Sequence, residues 1–295
     1  MLHSVLKRRS ILATLFAAPP LVAAPNVQRR PGTWLRVSLN AYTFNKALVA
    51  GTMTLFDLID FCAENRIEAA DLTGYYFPGY PQKPSDEYLF QLKRHAFLNG
   101  VTISGTGVRN DFALTDASSR AGHIQLVKDW VDVSVKLGAD MLRVFSGRET
   151  PAGQNFQSVM NYMVPAFQEC SAYAAKHGVL LGLQHHDDFL KTADETIQLI
   201  EAVNSPWFTV MVDVGSLRVK DVYEEIDKLM PYATHWQIKE HVYFGKQAVP
   251  IDLKRLRTII DKHGYRGFTP IEPLSVGDSR EKVVEFLKQV RAAFA

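Results

Sequence analysis

From residue 35 onward, eight short β-rich runs alternate with eight longer amphipathic helical stretches, and this alternation limits the fold more than any other feature. The pattern predicts strands at 35–42, 67–72, 101–105, 141–146, 179–184, 208–213, 233–238 and 268–272. It predicts helices at 54–65, 86–99, 118–137, 155–177, 192–203, 220–230, 252–263 and 279–293. Asn99-Gly100 and His177-Gly178 stop two of these helices, because glycine readily takes the left-handed cap. Thr192, with Glu195 three residues on, has the form of a capping box. Eight such units without a linker predict an α/β fold, a single (βα)8 TIM barrel over 34–295. An open doubly wound sheet would need a glycine-rich phosphate turn after the first strand, and Ser38-Leu39-Asn40-Ala41-Tyr42-Thr43-Phe44 offers none. Leu126, Trp130, Val133 and Leu137 fall at helical spacing and are core positions.

The first residues have a different character. Lys7-Arg8-Arg9-Ser10 precedes the apolar run Ile11-Leu12-Ala13-Thr14-Leu15-Phe16-Ala17-Ala18 and then small residues to Ala24, which predicts an export signal of the twin-arginine kind over 1–24. The run is too short to span a bilayer stably, so no membrane insertion is expected after cleavage, and a periplasmic location follows. The formal charge of +2 includes Lys7, Arg8 and Arg9, and without those three it is −1. A nearly neutral chain lacks the basic footprint of a nucleic-acid binder. Cys62 and Cys170 lie far apart on predicted helices, outside any CxxC motif, and read as buried free thiols.

Four of the later runs end in chelating side chains. They are Gly182-Leu183-Gln184-His185-His186-Asp187-Asp188, Val212-Asp213-Val214-Gly215-Ser216, His235-Trp236-Gln237-Ile238-Lys239-Glu240 and Pro270-Ile271-Glu272-Pro273. Polar groups at the ends of successive parallel strands are how a barrel assembles a site from distant parts of its chain. Strand parity groups Gln184 with His186, and His235 with Gln237 and Lys239. Gln184, Asp213, Gln237 and Glu272 can thus converge, and two carboxylates with two amide oxygens suit a hard divalent ion such as Mg²⁺ or Mn²⁺. Adding His186 brings Zn²⁺ or Co²⁺ into range. An aspartate at a strand end is, taken alone, more often a helix cap or a backbone partner.

The first half of the barrel adds Asn40, Tyr42 and Phe44, then Asp71, Tyr75 and Tyr76, then Asn110 and Asp111, and finally Arg143. Rings flanking polar groups suit a carbohydrate, whose C–H faces pack on aromatics while its hydroxyls take hydrogen bonds. The substrate-binding candidates are Asn40, Tyr42, Asp71, Tyr76, Arg143 and His185, with ordinary loop packing as the alternative for each tyrosine.

In the order Gln184, Asp213, Gln237, Glu272, and in phrases such as Leu183-Gln184-His185-His186-Asp187-Asp188-Phe189 and Ile238-Lys239-Glu240, the chain resembles the sugar phosphate isomerase/epimerase superfamily over 35–294. These xylose-isomerase-like barrels include keto-sugar 3-epimerases, inosose dehydratases and endonuclease-IV-type enzymes. The resemblance implies Glu, Asp, His and Glu ligands around Mn²⁺, Mg²⁺, Co²⁺ or Zn²⁺. Asp213 and Glu272 match that set. Gln184 stands where Glu is usual, and Gln237 where His is usual in a His-x-Lys-Asp phrase. The variant with glutamine at both places also resembles a group of exported barrels.

The family's epimerases use two glutamates on opposite faces of the substrate, and an amide cannot be one of those bases. Glu272 remains as ligand or base. The second acid/base has to come from His186, His185, Lys239 or Glu240, with His186 preferred because imidazole titrates near neutrality. A structural role for His186, holding Asp187 or Asp188, is the alternative. Lys239 can stabilise an enolate or form an ordinary salt bridge. Glu240 has the opposite parity and points away, unless the strand ends one residue earlier. Export argues for a non-phosphorylated keto-sugar or polyol, isomerised or epimerised by enolisation. A lyase or hydratase using the same enediolate chemistry is the alternative, and a non-catalytic carbohydrate-binding barrel is the third class. A phosphodiesterase with a zinc cluster would need more ligands at the strand ends. Barrels of this kind often dimerise, so a homodimer is the assembly to look for, although no stripe in the sequence marks an interface.

Overall fold

The structure, a computed structural model, describes residues 27–186 and 189–295; the expected export segment, Asp187 and Asp188 lie outside the described residues. The eight expected strands form as β1 (Trp34–Asn40), β2 (Ala69–Thr73), β3 (Thr102–Gly107), β4 (Met141–Phe145), β5 (Leu180–Gln184), β6 (Phe208–Asp213), β7 (Ala233–Gln237) and, after the hairpin β8 (His241–Phe244) and β9 (Gln247–Pro250), β10 (Arg266–Ile271). They pair in parallel in the order β10-β1-β2-β3-β4-β5-β6-β7. The remaining seam, between β7 and β10, is held by two backbone hydrogen bonds at Ile238. Its N–H donates to the Pro270 carbonyl (2.8 Å), and its carbonyl accepts from the Glu272 N–H (2.7 Å). The barrel is thus nearly closed, and its closing point lies between Gln237, Lys239 and Glu272.

The expected helices form as α2 (Leu55–Glu64), α3 (Asp86–Leu98), α4 (Ala117–Leu137), α5 (Phe156–His177), α6 (Ala193–Val203), α7 (Val222–Leu229), α8 (Leu253–Lys262) and α9 (Ser279–Phe294), with the short α1 (Asn45–Val49) added after β1. Thr192 and Glu195 make the capping box read from the sequence. Boundaries move by a few residues for local reasons. The first strand ends at Asn40 and not at 42 because the Asn40 side chain accepts the Tyr42 N–H and starts a 3-10 turn. The second starts at Ala69 because the Ile67 N–H still closes helix α2 through the Cys62 carbonyl. The β8–β9 hairpin is an element the pattern does not predict, since its alternation follows β7 without a break. Both cysteines are buried and free. Among the described residues no helix is long and apolar enough to cross a membrane.

Trp130 shows how the outer helices fix the mouth. It is fully buried on α4, donates its indole N–H to the Pro81 carbonyl (3.1 Å), and meets Phe77 and Tyr80 edge-on. Its ring lies against Gly74, where a Cβ would come within 2.8 Å of it and within 2.5 Å of the Gly107 carbonyl. Trp130 thereby seats the turn that carries Tyr75 and Tyr76. Trp130→Ala should cost ~3–5 kcal/mol, read as a lowered denaturant midpoint by circular dichroism, and a cost under ~1 kcal/mol would refute this role.

Candidate active site

Because β5, β6, β7 and β10 are consecutive around the barrel, the inward-facing residues at their ends meet. Asp213 is fully buried at the end of β6 and accepts four donors. Its Oδ2 takes Gln184 Nε2 (2.7 Å), Ser216 Oγ (2.6 Å) and Lys239 Nζ (2.9 Å), and its Oδ1 takes the Gly215 N–H (3.0 Å). The same Lys239 ammonium lies 3.3 Å from Glu272 Oε2. Gln237 Oε1 accepts from Asn40 Nδ2 (3.3 Å), while its amide hydrogen-bonds Glu272. Asn40 Oδ1 in turn accepts from Thr73 Oγ1 (3.3 Å). The cluster therefore consists of two carboxylates, two amides and one ammonium.

Electrostatics set the two carboxylates apart. Burial by itself would raise the Asp213 pKa, but Lys239, His186 and the Ser216 hydroxyl outweigh it and hold the carboxyl well below its usual range. Burial raises Glu272 above its ordinary value against the opposing pull of Lys239, with Asp213 adding to the rise. Burial would lower Lys239, yet Asp213 and Glu272 keep it protonated above its ordinary range. Two carboxyls pushed in opposite directions are the usual mark of divided roles, one a fixed charge and one a proton acceptor.

The four strand-end residues come together as expected, but they do not fit a divalent ion. An ionised carboxylate only accepts, so the Gln184 edge facing Asp213 must be its NH₂, and the Gln237 edge facing Glu272 likewise. Four donors use the lone-pair sites of Asp213. An ion between Asp213 and Glu272 would compete with the ammonium already shared by both. Among the described residues no group of three His, Cys, Asp or Glu side chains is placed to hold a metal. The amides that replace Glu and His act here as hydrogen-bond donors to carboxylates.

Two cavities open at the mouth. The larger, about 680 Å³, lies over the ends of β3, β4 and β5 and is lined by Arg109, Asn110, Asp111, His123, Arg148 and His186 among others. The smaller, about 280 Å³, is lined by His186, Ser216, Arg218, Lys239 and Tyr243 among others, and it touches the charged cluster through Lys239, not through Asp213 or Glu272. The larger cavity therefore does not mark the chemistry. His186, exposed, lines both. Lys239 lines the smaller cavity and keeps 15 % of its side chain exposed.

The other candidates have varied placements. Arg143 is buried; its Nη1 donates to the Tyr75 hydroxyl (2.7 Å) and the Val108 carbonyl (2.8 Å). Gly107 leaves room for that guanidinium, since a Cβ there would lie 2.7 Å from its Nε and the arginine would have to shift. Tyr42 is half-buried, and Tyr76, held to Asn45 Oδ1 (2.8 Å), lies near Tyr42, Tyr75 and Glu272. Neither cavity is lined by Asn40, Tyr42, Asp71, Tyr76, Arg143 or His185. Asp71 is a correction: it sits inside the barrel, below the mouth, with Oδ2 3.3 Å from His235 Nε2. His235, grouped with Gln237 by parity, therefore faces inward one layer too deep to reach a ligand. His185 is a second correction, because it is buried and its Nε2 accepts the Asp213 N–H (3.1 Å), so it positions Asp213 and does not touch substrate. Glu240 does not turn away: β7 ends at Gln237, one residue earlier than expected, and Glu240 lines the smaller cavity while its carboxylate accepts from the Leu274 and Ser275 N–H groups. Arg109, Arg148, Ser216 and Arg218 escape strand-end reasoning because they lie on loops, and His123 because it lies on the first turns of α4.

Burial pushes the His185 imidazole down to about 4, against the pull of Asp213. The unfolded chain protonates this residue near ~6.5, before the folded one does. His185 thus leaves stability intact above ~6.5 and withdraws ~3 kcal/mol as pH falls toward 4. Urea midpoints of the native protein and His185→Gln should diverge from neutral pH to pH 5, with the native protein losing more. Parallel profiles would refute the assignment.

Comparison with known proteins agrees with this architecture. No curated protein matches the chain. D-psicose 3-epimerase from Clostridium cellulolyticum, solved with D-tagatose, is 15 % identical, with a TM-score of 0.70 over 88 % of this chain and 99 % of that one. A probable 3-DHS dehydratase, AsbF, from Bacillus anthracis is 15 % identical, with a TM-score of 0.71 over 87 % and 98 %. The IOLI protein, solved with a zinc atom, is 13 % identical, with a TM-score of 0.68 over 88 % and 96 %. At such identities these likenesses establish the fold. The family model described as a xylose isomerase-like TIM barrel matches residues 59–290, most of the barrel, and the chain belongs to that family.

Proposed function

We propose that this chain is an exported enzyme that enolises a non-phosphorylated keto-sugar or related polyol, giving isomerisation or epimerisation. The observation that carries this reading is the oppositely tuned carboxylate pair sharing one ammonium beneath a sugar-sized recess. Glu272, with its pKa raised, takes the proton from the carbon next to the carbonyl. As that C–H bond breaks, its electron pair moves into the new C=C bond and negative charge gathers on the carbonyl oxygen. Lys239, charged and reachable, donates a hydrogen bond to that oxygen. Asp213 stays ionised and keeps the ammonium in place. Protonated Glu272 then returns the proton to the former carbonyl carbon, while the hydroxyl proton of the adjacent carbon passes to the enediolate oxygen held by Lys239, so that the carbonyl moves one carbon along with one carboxylate base.

Structural neighbours named as sugar epimerases and a dehydratase support enolate chemistry for the family. The basic and apolar segment before residue 25 supports export, and a periplasmic site is consistent with an unphosphorylated sugar. A lyase or hydratase is the second reading, favoured by the place of His186 between the two cavities. There Glu272 takes the α-proton and His186 protonates the β-leaving group.

The test is solvent exchange. Native protein incubated with ketoses in D₂O should place deuterium on the carbon beside the carbonyl, seen by NMR. Glu272→Gln should lower that rate ~10²–10⁴-fold. Conserved product mass supports isomerisation, whereas an α,β-unsaturated ketone supports the lyase. Tight sugar binding without exchange would overturn both and leave a carbohydrate-binding barrel.

A further inference from the structure

We infer that Lys239 is the resident cation of this site, and that Gln184, Gln237 and Lys239 form one set that makes a divalent metal unnecessary. This goes beyond the proposed reaction, because it concerns what neutralises the two carboxylates whatever the substrate is.

Each member of the set has a distinct job. The ammonium contacts both carboxylates, at 2.9 Å and 3.3 Å, and so supplies the positive charge without which two buried anions could not lie together. Gln184 gives Asp213 a neutral donor at 2.7 Å. A glutamate there would put a third carboxylate against Asp213, which one ammonium could not offset. Gln237 is held at its oxygen by Asn40 and turns its NH₂ to Glu272. A neutral histidine there would have to aim an N–H at Glu272, leaving its other nitrogen as the acceptor for Asn40, and could coordinate a metal only by giving up one of these contacts. Gly215 completes the arrangement, since a Cβ at that position would lie 2.5 Å from Lys239 Cδ. The absence of a side chain there lets the lysine stem pass to the two carboxylates.

The set predicts its own conversion. Lys239→Met removes the ammonium but keeps much of the stem's bulk, leaving Asp213 and Glu272 without a counter-cation. Adding Gln184→Glu and Gln237→His supplies the two missing ligands. Co²⁺ is the probe, because its visible d–d absorption reports coordination independently of turnover. Native protein, stripped with chelator and titrated with Co²⁺, should show no ligand-field band and retain no metal after gel filtration. The triple variant should take up about one equivalent, with a band and a raised melting temperature. If the triple variant does not fold, as judged by circular dichroism, Lys239→Met alone decides: it should gain Co²⁺ affinity over the native chain. Overturning results are a native protein that retains one equivalent of Co²⁺ which Asp213→Asn releases, or a folded Lys239→Met that binds Co²⁺ no better than native. A native protein that binds no ion and shows no deuterium exchange would sink the enolisation reading while leaving this inference intact.

Discussion

The Lys239 ammonium between Asp213 and Glu272 is the interaction on which the rest of the site depends. Two carboxylates buried within reach of one cation form an arrangement whose desolvation is costly, and removing the cation would expose that cost, at roughly 3–5 kcal/mol. The barrel meets the requirement by geometry. Lys239 follows Ile238, whose two backbone hydrogen bonds join β7 to β10, so the residue that closes the barrel also sets the distance between ammonium and Glu272. Asp213 is held from below and beside by Gly215, Ser216 and Gln184, and His185 accepts its backbone N–H. Its negative charge is thereby immobilised. The unequal satisfaction of the two carboxylates then produces unequal proton affinities, without any difference in the side-chain chemistry.

The two halves of the barrel do different work. Strands β5, β6, β7 and β10 carry the charged cluster, while β1 to β4 build a rigid wall beside it. Trp130 seats the turn bearing Tyr75, Tyr75 accepts from Arg143, and Gly107 makes the space that Arg143 fills. Arg143 thus spends its Nη1 donors inside the protein and contributes to the site by fixing the wall. The loops after β3, β4 and β5 enclose the larger cavity, with Arg109, Arg148 and His123 against Asp111 and Glu149. This mixed lining suits a hydroxyl-rich ligand better than a strongly charged one.

Strand-and-helix alternation was legible because its periods of two and 3.6 residues are properties of the chain itself. Parity correctly brought Gln184, Asp213, Gln237, Lys239 and Glu272 together, since those residues are still within or beside regular strands. The alternation holds one step past the strand: His186, on the side of Gln184, lines the cavities, while His185, on the opposite side, is buried against β6, so a substrate contact from His185 goes against parity. Depth was the hidden quantity: Asp71 and His235 have the right parity but lie one layer down, and register between distant strands is not written in local sequence. The fit of the site to an ion turns on a similar hidden quantity. The residue types suited an ion, but which edge each amide presents, and where the lysine ends, depend on three strands at once.

In the proposed reaction, a single carboxylate base and a fixed ammonium would impose an asymmetry at this mouth. Glu272 can take a proton from one face of a bound sugar and return it to the same face, which moves a carbonyl along the chain but does not invert a carbon. Inversion, or loss of a β-substituent, requires a second proton carrier on another side, and His186 stands where the two cavities meet. The smaller cavity can place a carbonyl over Lys239 while the rest of the ligand extends past His186 into the larger one. A substrate with a substituent beyond the reacting carbons would fill both spaces, and that substituent would lie beside the imidazole. Under the proposed reaction, a keto-sugar carrying a further substituent would use both spaces, and His186 would be the residue whose role separates isomerisation from elimination.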